Sequence, residues 1–334
     1  MTTHQDIFKN VLFVYSPEGL NTLQCASRMT QGDQARLTIV DVASGLDEYG
    51  GFLPPDIAEQ DLIDIISAER QKVIEDHLKS SRTALSEMEV RIRFGKAAIE
   101  IIRDVMAFDH DLVMKTAVGG SGLAARLFGS TALKLIRKCP CPVWIAHPEA
   151  PVTPRRVLAA IDPMPATDRS DNLNRQILET ASQMAQMGGG RLDVLHGWHL
   201  PGESRLTFGR TKISPDKLER MRAMAEKVHR QKTNDFLERM QSSISSANLH
   251  VVQGKPTETV LSFAEREKSD LIVIGTADQS ALAGMLLGST AESVVEKSRT
   301  SVLAIKPQGF TCLLYTSPSP RDLGSNLVFR LLLE

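Results

Sequence analysis

The feature that most constrains this chain is a long stretch that occurs twice. Residues 95–148 align with residues 254–307 without a gap, and 15 of the 54 positions are identical. The identical positions include Asp111 with Asp270, and the run Gly129-Ser130-Thr131-Ala132 with Gly288-Ser289-Thr290-Ala291. Self-similarity of this length indicates a repeated structural unit. We therefore expect two tandem copies of one domain.

The second copy of the repeat predicts a strand, a loop, a helix and a further strand. Residues 271–274 form a short apolar run with the β-branched content of a strand buried on both faces, and Gly275 ends it. A helix is predicted from Gly288 to about residue 298, and Ser289 and Thr290 add two hydroxyl groups at its start. Unpaired backbone N–H groups at such a start favour an anion. A phosphate group is the ligand that this pattern predicts.

Along the whole chain, predicted strands alternate with predicted helices. The strands fall at 11–15, 36–42, 89–94, 111–115, 141–146, 156–161, 191–196, 250–253, 271–274 and 302–305. The longest intervening helices are predicted at 58–87, 168–187 and 214–243. This alternation predicts an α/β chain of two tandem, doubly wound, Rossmann-like domains, each with a five-stranded parallel sheet. We place the first domain at 1–149 and the second at 150–310, and expect the two to form an intramolecular pseudo-dimer.

The C-terminal stretch is set apart from this pattern. Residues 312–322 read CLLYTSPSPRD, which resembles a translated sequencing-library adaptor. We interpret residues 311–334 as an artefactual tail, with a genuine disordered tail as the alternative, and exclude them from the fold prediction.

Charge and composition limit the class of partner. The chain has 39 basic and 40 acidic residues, without the basic excess that nucleic acid or an anionic membrane would favour. It has neither the pattern of a secretion signal at its start nor an apolar run of about 18 residues. The four cysteines are too few and too irregular for a disulfide framework. We expect a cytoplasmic protein that binds small molecules, without direct nucleic-acid or membrane binding.

With these features, the chain resembles the universal stress protein family, in particular its tandem two-domain members of the E type. The resemblance covers residues 10–307 and rests on the strand order, on the sequence VLAAIDP at residues 157–163, and on the loop motif before the last helix. The family fold is a five-stranded parallel sheet, and its members commonly pair through the last strand. The resemblance implies an adenine nucleotide, such as ATP, as the ligand, and a homodimer through the last strands as one assembly.

The nucleotide motif of the family is glycine, two residues, glycine, nine residues, glycine, then serine or threonine. The second half matches it with Gly275, Gly288 and Ser289, but Asp278 replaces the middle glycine. The first half keeps Gly119, and Gly129 with Ser130, but Thr116 replaces its first glycine.

Both departures weaken the prediction of a phosphate loop. A side chain hinders a positive φ or the close approach of a phosphate, and the charge of Asp278 repels a triphosphate by about 1 kcal/mol or more. Asp162, after the first strand of the second half, matches an acid at the adenine end of the family's pocket, whereas the first half has Ser16. We therefore predict that the second half is the better site.

Each of these signals has a purely structural alternative. The serine in Gly-Ser-Thr can cap a helix without any ligand. Asp162 can cap the turn at Pro163, and Asp278 can hydrogen-bond within its own loop. His196 and His199 lie close together in the sequence, but no third ligand is placed beside them, so no metal is predicted.

Three functions follow. The resemblance implies a non-enzymatic stress-response protein that supports survival under starvation or DNA damage. A slow ATPase or nucleotidyl-transfer enzyme is the alternative, but residues 276–287 contain no Lys or Arg to stabilise a transferring phosphoryl group. The third is a ligand-free scaffold that pairs through its sheet edges.

Overall fold

The computed structural model describes residues 8–32, 34–45, 58–80, 88–117, 129–164, 168–208, 213–240, 247–276 and 288–310. Ten strands lie at β1 (Asn10–Val14), β2 (Arg36–Ala43), β3 (Met88–Phe94), β4 (Leu112–Thr116), β5 (Val143–Ala146), β6 (Arg156–Ala160), β7 (Arg191–Trp198), β8 (Asn248–Gln253), β9 (Leu271–Gly275) and β10 (Ser301–Ile305). The predicted strands are confirmed, and β7 runs two residues further than the sequence pattern indicated.

The described helices separate these strands as predicted. They are α1 (Leu20–Met29), α2 (Glu59–Ser80), α3 (Ala97–Phe108), α4 (Ser130–Lys138), α5 (Asp168–Met187), α6 (Glu203–Phe208), α7 (Pro215–Arg239), α8 (Pro256–Arg266) and α9 (Ser289–Lys297). In α3, for example, Ala98, Ile101, Ile102 and Val105 recur at three and four residues and are all buried. Such spacing places one apolar stripe against the sheet.

All ten strands join one sheet in the order β3-β2-β1-β4-β5-β10-β9-β6-β7-β8. Within each half, neighbouring strands are parallel. One apolar core packs α1, α2, α5 and α7 on one face of the sheet, and a second core packs α3, α4, α8 and α9 on the other face. The doubly wound fold and the tandem arrangement are therefore confirmed.

The two halves meet at an antiparallel seam between β5 and β10, where Leu303 lies opposite Trp144. The N–H of His147 donates to Ser301 Oγ at 3.0 Å, and the Lys306 ammonium donates to the Ile136 carbonyl. The predicted pseudo-dimer forms in this way within one chain.

This seam corrects the expectation of a homodimer through the last strands. β5 lies between β4 and β10, and β10 lies between β5 and β9. Both edges of each last strand are therefore already paired within the chain, and the strands at the two outer edges of the sheet are β3 and β8.

Candidate functional site

The candidate site lies where β6 and β9 end side by side in the second half. The chain leaves β6 towards β7 on one side and leaves β9 towards β10 on the other, so the strand order reverses between them. Residues 157–160 of β6 pair in register with residues 271–274 of β9. The register therefore brings Asp162, just beyond β6, to the same edge of the sheet as Gly275. In open α/β sheets, ligands bind in the crevice at such a reversal.

The start of α9 is tied directly to the end of β9. The N–H of Gly288 donates to the carbonyl of Thr276 at 2.9 Å, and Thr276 in turn donates from its N–H and hydroxyl to the Ile305 carbonyl. Gly288 is the N-cap residue and makes no side-chain cap hydrogen bond. The alternative of a serine N-cap is therefore wrong for this helix. Ser289 is exposed and Thr290 is half-buried at its first turn.

Gly275 packs closely against side chains of α5, a contact that the sequence pattern does not predict. A Cβ atom at this position would lie 2.7 Å from Leu173 Cδ2 and 3.1 Å from Ile177 Cδ1, both on α5. Gly275 is not among the glycines with positive φ. The close approach that excludes a side chain is therefore that of α5, and a phosphate is not needed to explain this glycine. Asp278 lies outside the described residues.

Asp162 is held by its own turn and by α5. Its Oδ1 accepts the N–H of Met164 at 3.1 Å, so the carboxylate does cap the turn. Its backbone is clamped by the buried side chain of Asn174, which accepts the Asp162 N–H at 3.1 Å and donates to the Asp162 carbonyl at 2.7 Å. The carboxylate side chain is nonetheless 55% exposed. It can therefore contact a ligand while its main chain stays fixed.

An aromatic cluster lies beside Asp162, at the end of β7. His196 is buried, and its Nδ1 lies 3.2 Å from the Ile161 carbonyl oxygen and 3.8 Å from Asp162 Oδ1. Its Nε2 lies 2.9 Å from Nδ1 of His229 on α7. The His229 ring stacks on Trp198 with 5.2 Å between ring centroids and 18° between planes.

Burial governs the protonation of the two imidazoles. Removal from water lowers the pKa of His196. Burial also lowers the pKa of His229, where repulsion from His196 acts in the same direction and the carboxylate of Asp162 opposes it. Both rings are therefore neutral near pH 7. The indole N–H of Trp198 is buried and has no acceptor within the described structure, which makes it a candidate contact for a bound molecule because buried donors are normally paired.

Sequence reasoning missed His229 and Asn174. Asn174 has no motif around it, and His229 lies 33 residues from its partner His196. Their roles depend on how α5 and α7 lie across the sheet, and this information is not present in local spacing.

At the matching place in the first half, a turn of the chain contacts the end of β4. A turn at residues 17–19 follows β1 and brings Gly19 so close that an added Cβ atom would lie 2.8 Å from Thr116 Oγ1. The Thr116 hydroxyl donates to Thr22 Oγ1 at 2.9 Å. Gly129 is the N-cap of α4, and both Gly129 and Ser130 are exposed. Gly119 lies outside the described residues.

The described residues offer neither a metal-binding cluster nor a membrane-spanning helix. Across the described ranges, no group of three or more His, Cys, Asp or Glu side chains is arranged to hold a metal ion. None of the helices in the described part of the chain is long and apolar enough to cross a bilayer.

Comparison with known proteins agrees with this architecture. The chain is 26% identical over 324 residues to a universal stress protein E homolog of Haemophilus influenzae, covering 90% of this chain and 98% of the relative. It is 27% identical over 250 residues to universal stress protein E of Salmonella typhi, covering 73% of this chain and 76% of the relative. A solved universal stress protein of Archaeoglobus fulgidus has a TM-score of 0.58 at 20% identity, covering 89% of this chain and 98% of that one.

The family model agrees with the internal repeat. The model described as the universal stress protein family matches the chain twice, at residues 7–147 and 155–306. The two matches lie on either side of the β5–β6 connection and together cover all ten strands. The chain therefore belongs to the universal stress protein family, with two copies of the family domain in tandem.

Proposed function

We propose that this chain is a non-enzymatic stress-response protein whose second half binds an adenine nucleotide, such as ATP, or a similar phosphate-bearing molecule. The observation that carries the proposal is the start of α9. Its N-cap residue has no side chain to pair the first N–H groups, and a hydrogen bond from Gly288 to Thr276 holds it at the reversal of strand order. Helix starts in this position bind phosphate groups.

The other side of the crevice supports a ligand with a polar or aromatic end. Asp162 offers a half-exposed carboxylate on a clamped main chain. The stacked rings of His229 and Trp198 lie at the end of the next strand, β7. Neighbouring strands lie about 4.8 Å apart, so the distance from β9 across β6 to β7 is about the length of a nucleotide. We assign the phosphate to α9 and the base to the Asp162 end.

The sequence favours a protein that binds the nucleotide without catalysing a reaction on it. Phosphoryl transfer needs a cation placed on the transferring group, and residues 276–287 contain no Lys or Arg. The proposal includes action in the cytoplasm and support of survival under starvation or DNA damage. Deletion of the gene should then lower survival after starvation or ultraviolet irradiation, and re-expression should restore it.

The test of the site is an ATP titration with two matched variants. Ser289 and Ser130 are exposed first residues of α9 and α4. The helix dipole stabilises an aspartate at either position, so neither variant should lose stability. The new carboxylate does, however, repel a phosphate group bound at the same helix start. We expect Ser289→Asp to weaken ATP binding at least about tenfold, and Ser130→Asp to leave it unchanged.

The same titration decides between the proposal and its alternatives. Equal weakening by the two variants, or no effect of Ser289→Asp, would contradict a site at α9. ATP turnover that Asp162→Ala abolishes would favour the enzyme. If the natural sequence does not bind ATP and natively purified protein releases no small molecule, the ligand-free scaffold would be the function that remains.

A further inference from the structure

We infer that His196 and His229 together form a site for a single proton, carried by His229, and that this proton strengthens binding of an anionic ligand in the second half. The inference rests on the proposed function for its ligand, but the proton site itself follows from the hydrogen bonds. The hydrogen bond between the two rings is a feature that stacking against a nucleotide base does not explain.

The hydrogen bonds fix the tautomer of each ring. His196 Nδ1 faces the Ile161 carbonyl oxygen at 3.2 Å, and a carbonyl oxygen only accepts, so Nδ1 carries the hydrogen. In the neutral ring, His196 Nε2 is then an acceptor. His229 Nδ1, at 2.9 Å, must therefore donate to it. This assignment leaves Nε2 of His229 as the basic atom of the pair.

One proton fits this arrangement and a second does not. A proton on His229 Nε2 leaves both hydrogen bonds of the chain intact. A second proton, on His196 Nε2 while His229 is already protonated, would set two N–H donors against each other at 2.9 Å, in a residue that is only 2% exposed. Burying an unpaired donor and a second charge is costly. His229 is half-buried, so water can reach it.

The surroundings determine when the proton binds. The charged and titratable groups that act on His229 are His196 on β7, Asp162 after β6 and His199 after β7. The nearby hydroxyl of Thr233 donates to the His229 carbonyl and so fixes this turn of α7. Burial lowers the pKa of His229 and His196 from the usual value of 6.5. In the free protein the pair therefore takes up its proton below pH 6.5.

The effect on the ligand follows from the charge balance. Above pH 6.5, the pair is neutral and Asp162 is the nearby charge, which repels an anion. Uptake of one proton raises the net charge of the site by one. At separations of about 8 Å near a protein surface, and with screening by salt of physiological strength, one unit of charge changes the affinity for an anion by about three- to tenfold.

The proton site is tested by histidine NMR on the full chain between pH 8 and pH 5. The variants His229→Asn and His196→Asn assign the signals, and asparagine at position 229 keeps a donor near the position of Nδ1. We expect the His229 ring to titrate below pH 6.5 and the His196 ring to stay neutral. Protonation of His196 before His229, or no titration of either ring down to pH 5, would overturn the inference.

The coupling is tested with ADP as the probe at pH 8 and pH 5.5. The difference between the natural sequence and His229→Asn cancels the titration of the ADP phosphates. We expect ADP affinity of the natural sequence to rise about three- to tenfold more than that of His229→Asn as the pH falls. An equal pH dependence in both proteins would contradict the coupling alone, whereas no ADP binding at any pH would contradict both the coupling and the proposed function.

Discussion

The two halves of the molecule place different chemistry at the same point of the same fold. Asp41 and His196 are each five residues beyond the first residue of β2 or β7. Asp41 pairs with Arg70 of α2 through contacts of 2.6 and 3.0 Å, whereas His196 pairs with His229 of α7. One half therefore has an arginine–carboxylate ion pair there, and the other has a pair that is neutral near pH 7.

The close contact at the end of the strand that borders the crevice also differs between the two halves. In the first half, Gly19 and Thr116 fit against each other, whereas in the second half the strand supplies Gly275 and the helix supplies Leu173. Both arrangements join a glycine to a larger side chain, but in the first half the glycine lies in a turn and the side chain on the strand, whereas in the second half the glycine lies on the strand. The two halves therefore share the packing of a glycine against a larger side chain, and they differ in which element supplies each partner.

Among substitutions that test this comparison of the two halves, we expect the largest loss in the free energy of unfolding at Asp104. This carboxylate is buried in the first half between Arg91 and Arg93, at the position that Phe263 occupies in the second half. Asp104→Ala leaves two arginines without their buried partner and should lower the free energy of unfolding by about 3 kcal/mol. Urea denaturation measures this change.

A matched control is the exposed ion pair of Arg230 and Glu226 on α7. Glu226→Gln should change the free energy of unfolding by less than about 0.5 kcal/mol. Similar losses for the two variants would show that the Asp104 cluster does not stabilise the first half.

The next effect concerns the two motif glycines. Gly275→Ala would place Cβ 2.7 Å from Leu173 Cδ2 and should cost about 2 kcal/mol through overpacking. At Gly129 an added Cβ would meet no atom within 4 Å, so Gly129→Ala should cost only the poorer N-cap preference of alanine, less than about 1 kcal/mol. Thermal unfolding of both variants checks the difference, and an unchanged Gly275→Ala protein would contradict the packing role.

A smaller difference in the free energy of unfolding is expected between variants of the Asp41–Arg70 pair and the His196–His229 pair. Arg70→Gln leaves the carboxylate of Asp41, whose side chain is 11% exposed, without its cation, and should cost about 1 to 2 kcal/mol. His229→Asn keeps a donor to His196 and should cost less than that. Urea denaturation at pH 7.5 compares them, and a larger loss for His229→Asn would reverse the account of the two pairs.

The smallest expected effect is the pH dependence of stability. Burial lowers the pKa of His110 in the first half and of His196 in the second half. The folded state therefore binds fewer protons than the unfolded state, so stability is complete above pH 6.5 and falls as the pH drops through the lowered pKa values. Unfolding at pH 7.5 and pH 5.5 should show this loss, and His110→Asn should reduce it. An equal loss in His110→Asn would exclude His110 as a cause.

The repeat and the apolar patterns were sufficient to predict the fold. Every strand came from a short run of β-branched and apolar residues, and the position of α9 came from Gly288-Ser289-Thr290, because these signals are local. The contact of Gly275 with Leu173, the clamp by Asn174 and the pairing of His196 with His229 could not be predicted. Each depends on side chains from two elements that meet only when the helices pack on the sheet.

The most direct test of the central claim is to locate the bound nucleotide. Photolabelling of the full chain with 2-azido-ATP, followed by proteolysis and mass spectrometry, identifies which half contacts the base. We predict label on peptides from the second half around Asp162, His196 or His229, with excess ATP preventing it. Label on first-half peptides near Ser16 or Asp41, or equal label on both halves, would contradict the claim that the second half holds the ligand site.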